Sequence, residues 1–160
     1  MNAKVRLGFL LVIVTLTLNG SGAGMLISPH RILDLVNQDR VRYGLNELSI
    51  NPKLNLAAFA KASDMLEQNY FAHESPAGTK PWHWLSTLGY NYSYAGENLA
   101  QGFSDAEDLE QSWMASPTHR ANILSPFYSE VGLAVVNNGQ KNLIVQFFGS
   151  TDSKLVKNSH

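Results

Sequence analysis

Two short segments near the C-terminal end of the chain are apolar at consecutive positions. The first is Leu133-Ala134-Val135-Val136; the second is Leu143-Ile144-Val145, followed by Phe147-Phe148. Runs this short read as strands over 131–136 and 143–148, and a strand that is apolar on both faces must be covered on both faces. Asn137-Asn138-Gly139-Gln140 lies between them. Asparagine and glycine tolerate positive φ, so this is a hairpin turn. The 160-residue chain fits one domain, so the remaining residues must supply both covering layers.

Helical segments supply them. Ser28-Pro29 reads as an N-cap with proline at the first helical position. Ile32, Leu35, Val36 and Tyr43 follow at helical spacing until Gly44, so a helix is expected over 29–43. Asn51-Pro52 repeats the start signal. The segment from Leu54 to Leu66 (Ala57, Ala58, Phe59, Ala60, Ala62, Met65) is apolar on most sides and predicts a helix buried on several of them. Pro81-Trp82-His83-Trp84-Leu85 predicts a short helical turn ending by Gly89. Residues 92–100 suit a strand. Ser104-Asp105-Ala106-Glu107 reads as a capping box opening a third helix with Ala106, Leu109 and Trp113 inward. Ser116-Pro117 caps a fourth, running to about Leu124. Helices before and between doubly covered strands predict an α/β fold: a three-layer α/β/α sandwich around a small, mainly antiparallel sheet.

The N-terminal residues stand apart. Lys4 and Arg6 precede an uncharged run from Leu7 to Leu18, and Ser21 and Ala23 occupy the −3 and −1 positions of a cleavable signal peptide. That run is 12 residues, short of the ~20 a bilayer span needs. Residues 1–23 are therefore expected to be a cleaved leader and the protein secreted, with no transmembrane segment in the mature chain. The domain is expected over 28–149, with a polar tail over 150–160. Removing Lys4 and Arg6 takes the net charge from −1 to −3, and no basic stretch remains to collect phosphates, which excludes nucleic acid as a partner. There is no cysteine. The fold must rest on packing and hydrogen bonds even in an oxidising compartment.

Five histidines occur. His160 is terminal, His30 opens the first helix, and His83 sits between two tryptophans on the rim of an aromatic cluster. His73 and His119 have more suggestive surroundings. His73 leads a loop containing Pro76 and Gly78. His119 falls third in its helix, where the positive dipole end disfavours an imidazolium. A neutral imidazole there can accept a proton or bind a metal. Glu97 lies between Gly96 and Asn98 near the end of a strand. His, Glu and His together can hold a divalent cation such as zinc with open positions for water. Their separations of 24 and 22 residues match no short metal-ligand motif, so spacing alone leaves three unrelated surface groups an open alternative.

Three segments speak for a shared site: Phe71-Ala72-His73-Glu74-Ser75-Pro76-Ala77-Gly78, Gly96-Glu97-Asn98-Leu99-Ala100, and Trp113-Met114-Ala115-Ser116-Pro117-Thr118-His119-Arg120-Ala121-Asn122-Ile123-Leu124. In order and spacing they resemble the bacterial, cysteine-free branch of the CAP (SCP-like) superfamily, and the resemblance spans about residues 30–149. It implies the α/β/α sandwich and a surface cleft where His73, Glu97 and His119 converge. Many relatives carry a second glutamate three residues after the tryptophan matched here by Trp113; in this chain that position is Ser116. The resemblance thus implies a weakly held zinc or magnesium ion on three ligands, His73, Glu97 and His119, with Asn98, Arg120 and Asn122 behind them.

The leading expectation is a monomeric extracellular binding module whose cleft takes a cation and a small apolar or cell-envelope ligand. Trp82, Trp84, Tyr92 and Tyr94 offer aromatic surface for the ligand. One alternative is an extracellular metal-assisted hydrolase or peptidase with Glu97 as catalytic general base. The other is a non-catalytic module that contacts proteins or the cell wall, in which the motif residues are architectural.

Overall fold

The computed structural model describes residues 27–151; the expected leader over 1–23 and nearly all of the expected tail over 150–160 lie outside the described residues. The elements are α1 (Pro29–Arg42), β1 (Ser49–Ile50), α2 (Pro52–Glu67), α3 (Trp82–Thr87), β2 (Tyr94–Gln101), α4 (Ala106–Ala115), α5 (Pro117–Ile123), β3 (Glu130–Asn137) and β4 (Asn142–Ser150). The sheet order is β1-β3-β4-β2. β4 pairs antiparallel with both β3 and β2, while the two-residue β1, which sequence patterning missed, runs parallel to β3. Among the described residues β2 therefore ends the sheet with no strand beyond it, and side chains reach its outer carbonyls instead: Asn122 donates to Glu97 and Tyr128 to Ala95.

The period of two along β4 sorts its side chains between two cores. Ile144 and Phe148 pack with Ile32, Val36, Leu109, Trp113 and Ile123 from α1, α4 and α5. Leu143, Val145 and Phe147 pack with Leu54, Ala58, Met65 and Leu85 from α2 and α3. Phe147 and Phe148 are neighbours in sequence, yet both are fully buried on opposite faces. Each contributes roughly 1.5–3 kcal/mol by leaving water. The molecule is the expected α/β/α sandwich. Gly132 lets α2 lie directly on β3, because a Cβ there would fall on the Leu54 carbonyl group. No helix among the described residues is long and apolar enough to cross a membrane.

Several local expectations shift. α2 is not covered all round: Leu56 and Phe59 are each 57 % exposed, while Lys61 takes a fully buried place on its inner stripe. Asp105, not Ser104, caps α4, accepting the Asp108 N–H at 3.0 Å. Ser116 starts α5 through its carbonyl, which accepts from Arg120 N at 2.9 Å. Its hydroxyl turns to Thr118 instead of capping. Buried Arg40 ties α1 to the α5–β3 connection by donating to the carbonyls of Ile123, Ser125 and Tyr128.

Candidate functional site

The outer edge of β2 lets elements from both faces of the sheet approach one another. Alternation along β2 turns Ala95 and Leu99 towards the α2/α3 core and Ala100 towards the other. Glu97 shares the first side and Asn98 the second. The loop after α2 carries His73 to Glu97, and Nδ1 of the ring lies 2.5 Å from Glu97 Oε1. The Glu97 side chain is 2 % exposed and that of His73 is 59 % exposed. A wet imidazole thus stands in front of a buried carboxylate. Burial raises the Glu97 pKa to about 7, with the His73 hydrogen bond and the His73 and Lys61 charges pulling the other way. Its second oxygen, Oε2, is buried with no hydrogen-bond partner among the described residues. A carboxyl group that titrates near neutrality beside a solvated imidazole can take or give a proton at ordinary pH.

Lys61 works from beneath. It donates to the His73 carbonyl at 2.9 Å and to the Tyr70 hydroxyl at 3.0 Å. Tyr70 in turn donates to Asp64 at 2.5 Å. Burial lowers the Lys61 pKa, while Glu97 and Asp64 favour its charge. The ammonium both anchors the histidine loop and supplies positive potential to the glutamate. Sequence reading passed over this residue. Its signal was a lysine on the apolar stripe that also holds Leu54, Ala57, Ala58, Ala62 and Met65.

On the other side of β2 the amides form a scaffold. Asn98 donates to the cross-strand Gln146 side chain at 3.1 Å and to the His119 carbonyl at 3.3 Å. Asn122 donates to the Glu97 carbonyl at 3.0 Å and to Asn98 Oδ1 at 2.9 Å. These bonds fix the first turn of α5 against the strand that carries Glu97. The His119 ring lies 6.3 Å from that of Trp113. Its pKa is lowered by burial first and then by the charge of His73. The direction is the one expected for the start of α5, but its leading cause is desolvation rather than the helix dipole. Arg120 does not join this scaffold. Its guanidinium reaches the Tyr43 hydroxyl at 3.0 Å and lies over that ring, because the exposed face of α5 points it towards α1.

A cavity of about 440 Å³ opens beside the dyad, lined by His73, Glu97, Gly96, Asn122 and Trp82 among others. Gly96 lets Tyr128 and Asn122 pack closely onto the strand, since a Cβ there would strike the Tyr128 hydroxyl and crowd Asn122. His119 is not part of the lining. Among the described residues no three His, Cys, Asp or Glu side chains stand together to hold a metal ion. Glu97 gives Oε1 to His73 and keeps Oε2 buried, so the carboxylate stands behind the His73 ring. Of the aromatic side chains Trp82 lines the cavity and packs against Tyr92 with ring centroids 6.1 Å apart, while Tyr94 stacks on Phe127 at 4.8 Å.

The cysteine-rich secretory protein (CAP) family profile matches residues 33–148. The uncharacterized protein YkwD of Bacillus subtilis (strain 168) is 38 % identical over 109 residues, which are 68 % of this chain and 42 % of YkwD. The uncharacterized membrane protein YlbC of the same strain is 33 % identical over 108 residues, 68 % of this chain and 31 % of YlbC. A crystal structure of an extracellular protein containing a SCP domain, from Bacillus anthracis str. Ames, superposes with a TM-score of 0.70 at 30 % identity. It covers 76 % of this chain and 40 % of that one. The chain thus spans less than half the length of these relatives. With the two-sided sheet, the histidine loop at its outer edge and a family match across nearly the whole described domain, this chain is a member of the CAP family.

Proposed function

We propose that the chain is an extracellular binding module whose cleft at the outer edge of β2 takes a divalent cation and a small apolar or cell-envelope ligand. One observation carries this reading: the exposed ring of His73 is oriented from behind by buried Glu97 beside a 440 Å³ cavity. An imidazole whose ring N–H is held by a carboxylate is the usual arrangement behind a metal-binding histidine. In this reading His73 and His119 are the ligands and Glu97 orients the first of them, in place of a three-ligand set. The lowered His119 pKa fits, because two nearby imidazoles cannot both hold a proton cheaply and a cation between them uses both neutral rings. Two nitrogen ligands hold zinc or magnesium weakly, and zinc the better of the two. The Trp82–Tyr92 pair would then accept the apolar part of a ligand.

Calorimetric titration with zinc tests the proposal. The wild-type protein is expected to give a saturable heat that His73→Ala and His119→Ala both abolish, while Glu97→Gln weakens it about 10–100-fold. Equal heats in all four proteins would remove the cation from the reading.

A further inference from the structure

The cleft beside His73 and Glu97 measures about 440 Å³, within the ~300–1,000 Å³ of sites that small ligands fill. Its wall carries reachable polar atoms of both kinds. Asn122 is half-buried and spends its Nδ2 on the Glu97 carbonyl and on Asn98 Oδ1. Those two bonds fix the plane of the amide, and its own Oδ1 stays reachable with no donor among the described residues. Lys80 Nζ and the Trp82 indole N–H are exposed donors without acceptors among the described residues, and the exposed Glu74 carboxylate is an acceptor without a donor. The Trp82 side chain is 36 % exposed, so part of its ring is open to the cavity.

The strand behind the cleft is occupied instead. The outer carbonyls of Ala95, Glu97 and Leu99 accept from the Tyr128 hydroxyl, the Asn122 amide and the Trp113 indole. A peptide strand adding to β2 would have to displace all three.

We propose that the cell-envelope ligand of this cleft is a glycan, one hexopyranose ring of which lays its C–H face on Trp82 and its hydroxyls on Asn122 Oδ1, Lys80 and Glu74. The inference rests on the reading of the cleft as a binding site and names the class of its ligand. The chemistry selects that class. A hydroxyl both donates and accepts, so ring hydroxyls satisfy the mixed set, whereas an acyl chain would leave each of these groups without a partner. A pyranose also has a flat face of C–H bonds, whose slightly positive hydrogens suit the negative face of an indole. Lys80 and Glu74 offset one another in charge, so the sugar need carry none.

NMR titration of the full chain with cellotetraose and with chitotetraose, the tetramers of glucose and of N-acetylglucosamine, provides the test. At least one is expected to shift the Trp82 indole N–H and the Asn122 side-chain amide saturably below about 10 mM. Trp82→Phe keeps a flat ring and should hold affinity within about threefold, while Trp82→Leu keeps apolar bulk without the ring and should lose about tenfold. Lys80→Met should lose about threefold. Binding of both tetramers assigns the cleft to the pyranose ring itself, and binding of chitotetraose alone adds the acetamido group to what is recognised. No shift with either tetramer, tighter binding of trialanine or of hexanoate, or equal affinity of Trp82→Leu and wild type overturns the proposal. Should Trp82→Leu not fold, unchanged affinity in Lys80→Met overturns it instead. Zinc calorimetry on the same wild-type sample keeps the two claims apart: a zinc heat with no glycan shift overturns the glycan and leaves the cation, and a glycan shift with no zinc heat does the reverse.

Discussion

Glu97 and Glu110 are both buried glutamates in cavity walls, and burial is the leading cause of a raised pKa in each. Their neighbours differ in sign. Glu97 has the His73 ring on one oxygen and the Lys61 charge behind it, and stops at about 7. Glu110 has only Asp39 and reaches about 8. Desolvation sets the direction in both places, and the sign of the partner decides how far the shift goes. Near neutrality the edge of β2 therefore holds a carboxyl group poised between its two forms, while the helix layer holds one that is mostly an acid. The first suits orienting an imidazole and the second holds its proton in a hydrogen bond to Asp39.

Removing the positive neighbour should erase much of this contrast. Lys61→Met deletes a buried ammonium that holds the His73 carbonyl and favours ionised Glu97. The cost is expected to be about 3 kcal/mol or more, as for other broken buried charge networks. The Glu97 pKa should move up towards that of Glu110. Urea denaturation reads the first effect and carboxyl-carbon NMR titration the second. An unchanged Glu97 titration would break the comparison by showing that Lys61 does not differentiate the two sites.

The pH dependence of stability sharpens the other side. The folded-state pKa of Glu110 lies above its ordinary value of 4.5. Between about pH 4.5 and about 8 the native state keeps a proton that the unfolded chain gives up. Stability linked to this group is therefore greatest at the acid end of the window and falls as pH rises through it, by on the order of a few kcal/mol. Glutamine has no proton to lose, so Glu110→Gln should flatten that share of the slope and leave the share of Glu97 in place. Denaturation of both proteins near the two ends of the window checks this. Parallel curves would mean that Glu110 does not hold the proton. The smallest effect belongs to Arg120→Ala, whose exposed stack on Tyr43 should be worth about 0.5 kcal/mol or less in a thermal melt. The His73–Glu97 dyad should be untouched by it.

The two sites were unequally legible. His73, Glu97, His119, Asn98 and Asn122 all stood in motif segments, and the structure brings them to one edge. Arg120 stood in the same segment, yet faces away, because neighbours along a helix point in different directions. Lys61 and Glu110 left a subtler mark, a charged residue on an otherwise apolar stripe of α2 and of α4. Such a residue reads equally well as a helix turned slightly differently. Only its burial shows that the charge was placed inside.

The chain by itself determined the layers. Strands apolar on both faces, helices with Ser-Pro or Asn-Pro starts and a glycine-bearing hairpin turn leave little besides an α/β/α sandwich, because local backbone preference and the period of the apolar residues point the same way. Tertiary structure alone decided that β2 would be the edge strand, that His73 would front Glu97, and that Glu110 would meet Asp39 across α4 and α1. Those outcomes rest on contacts between residues far apart in sequence. Burial and the sign of a neighbour's charge set proton affinity there, and neither quantity exists until the chain has folded.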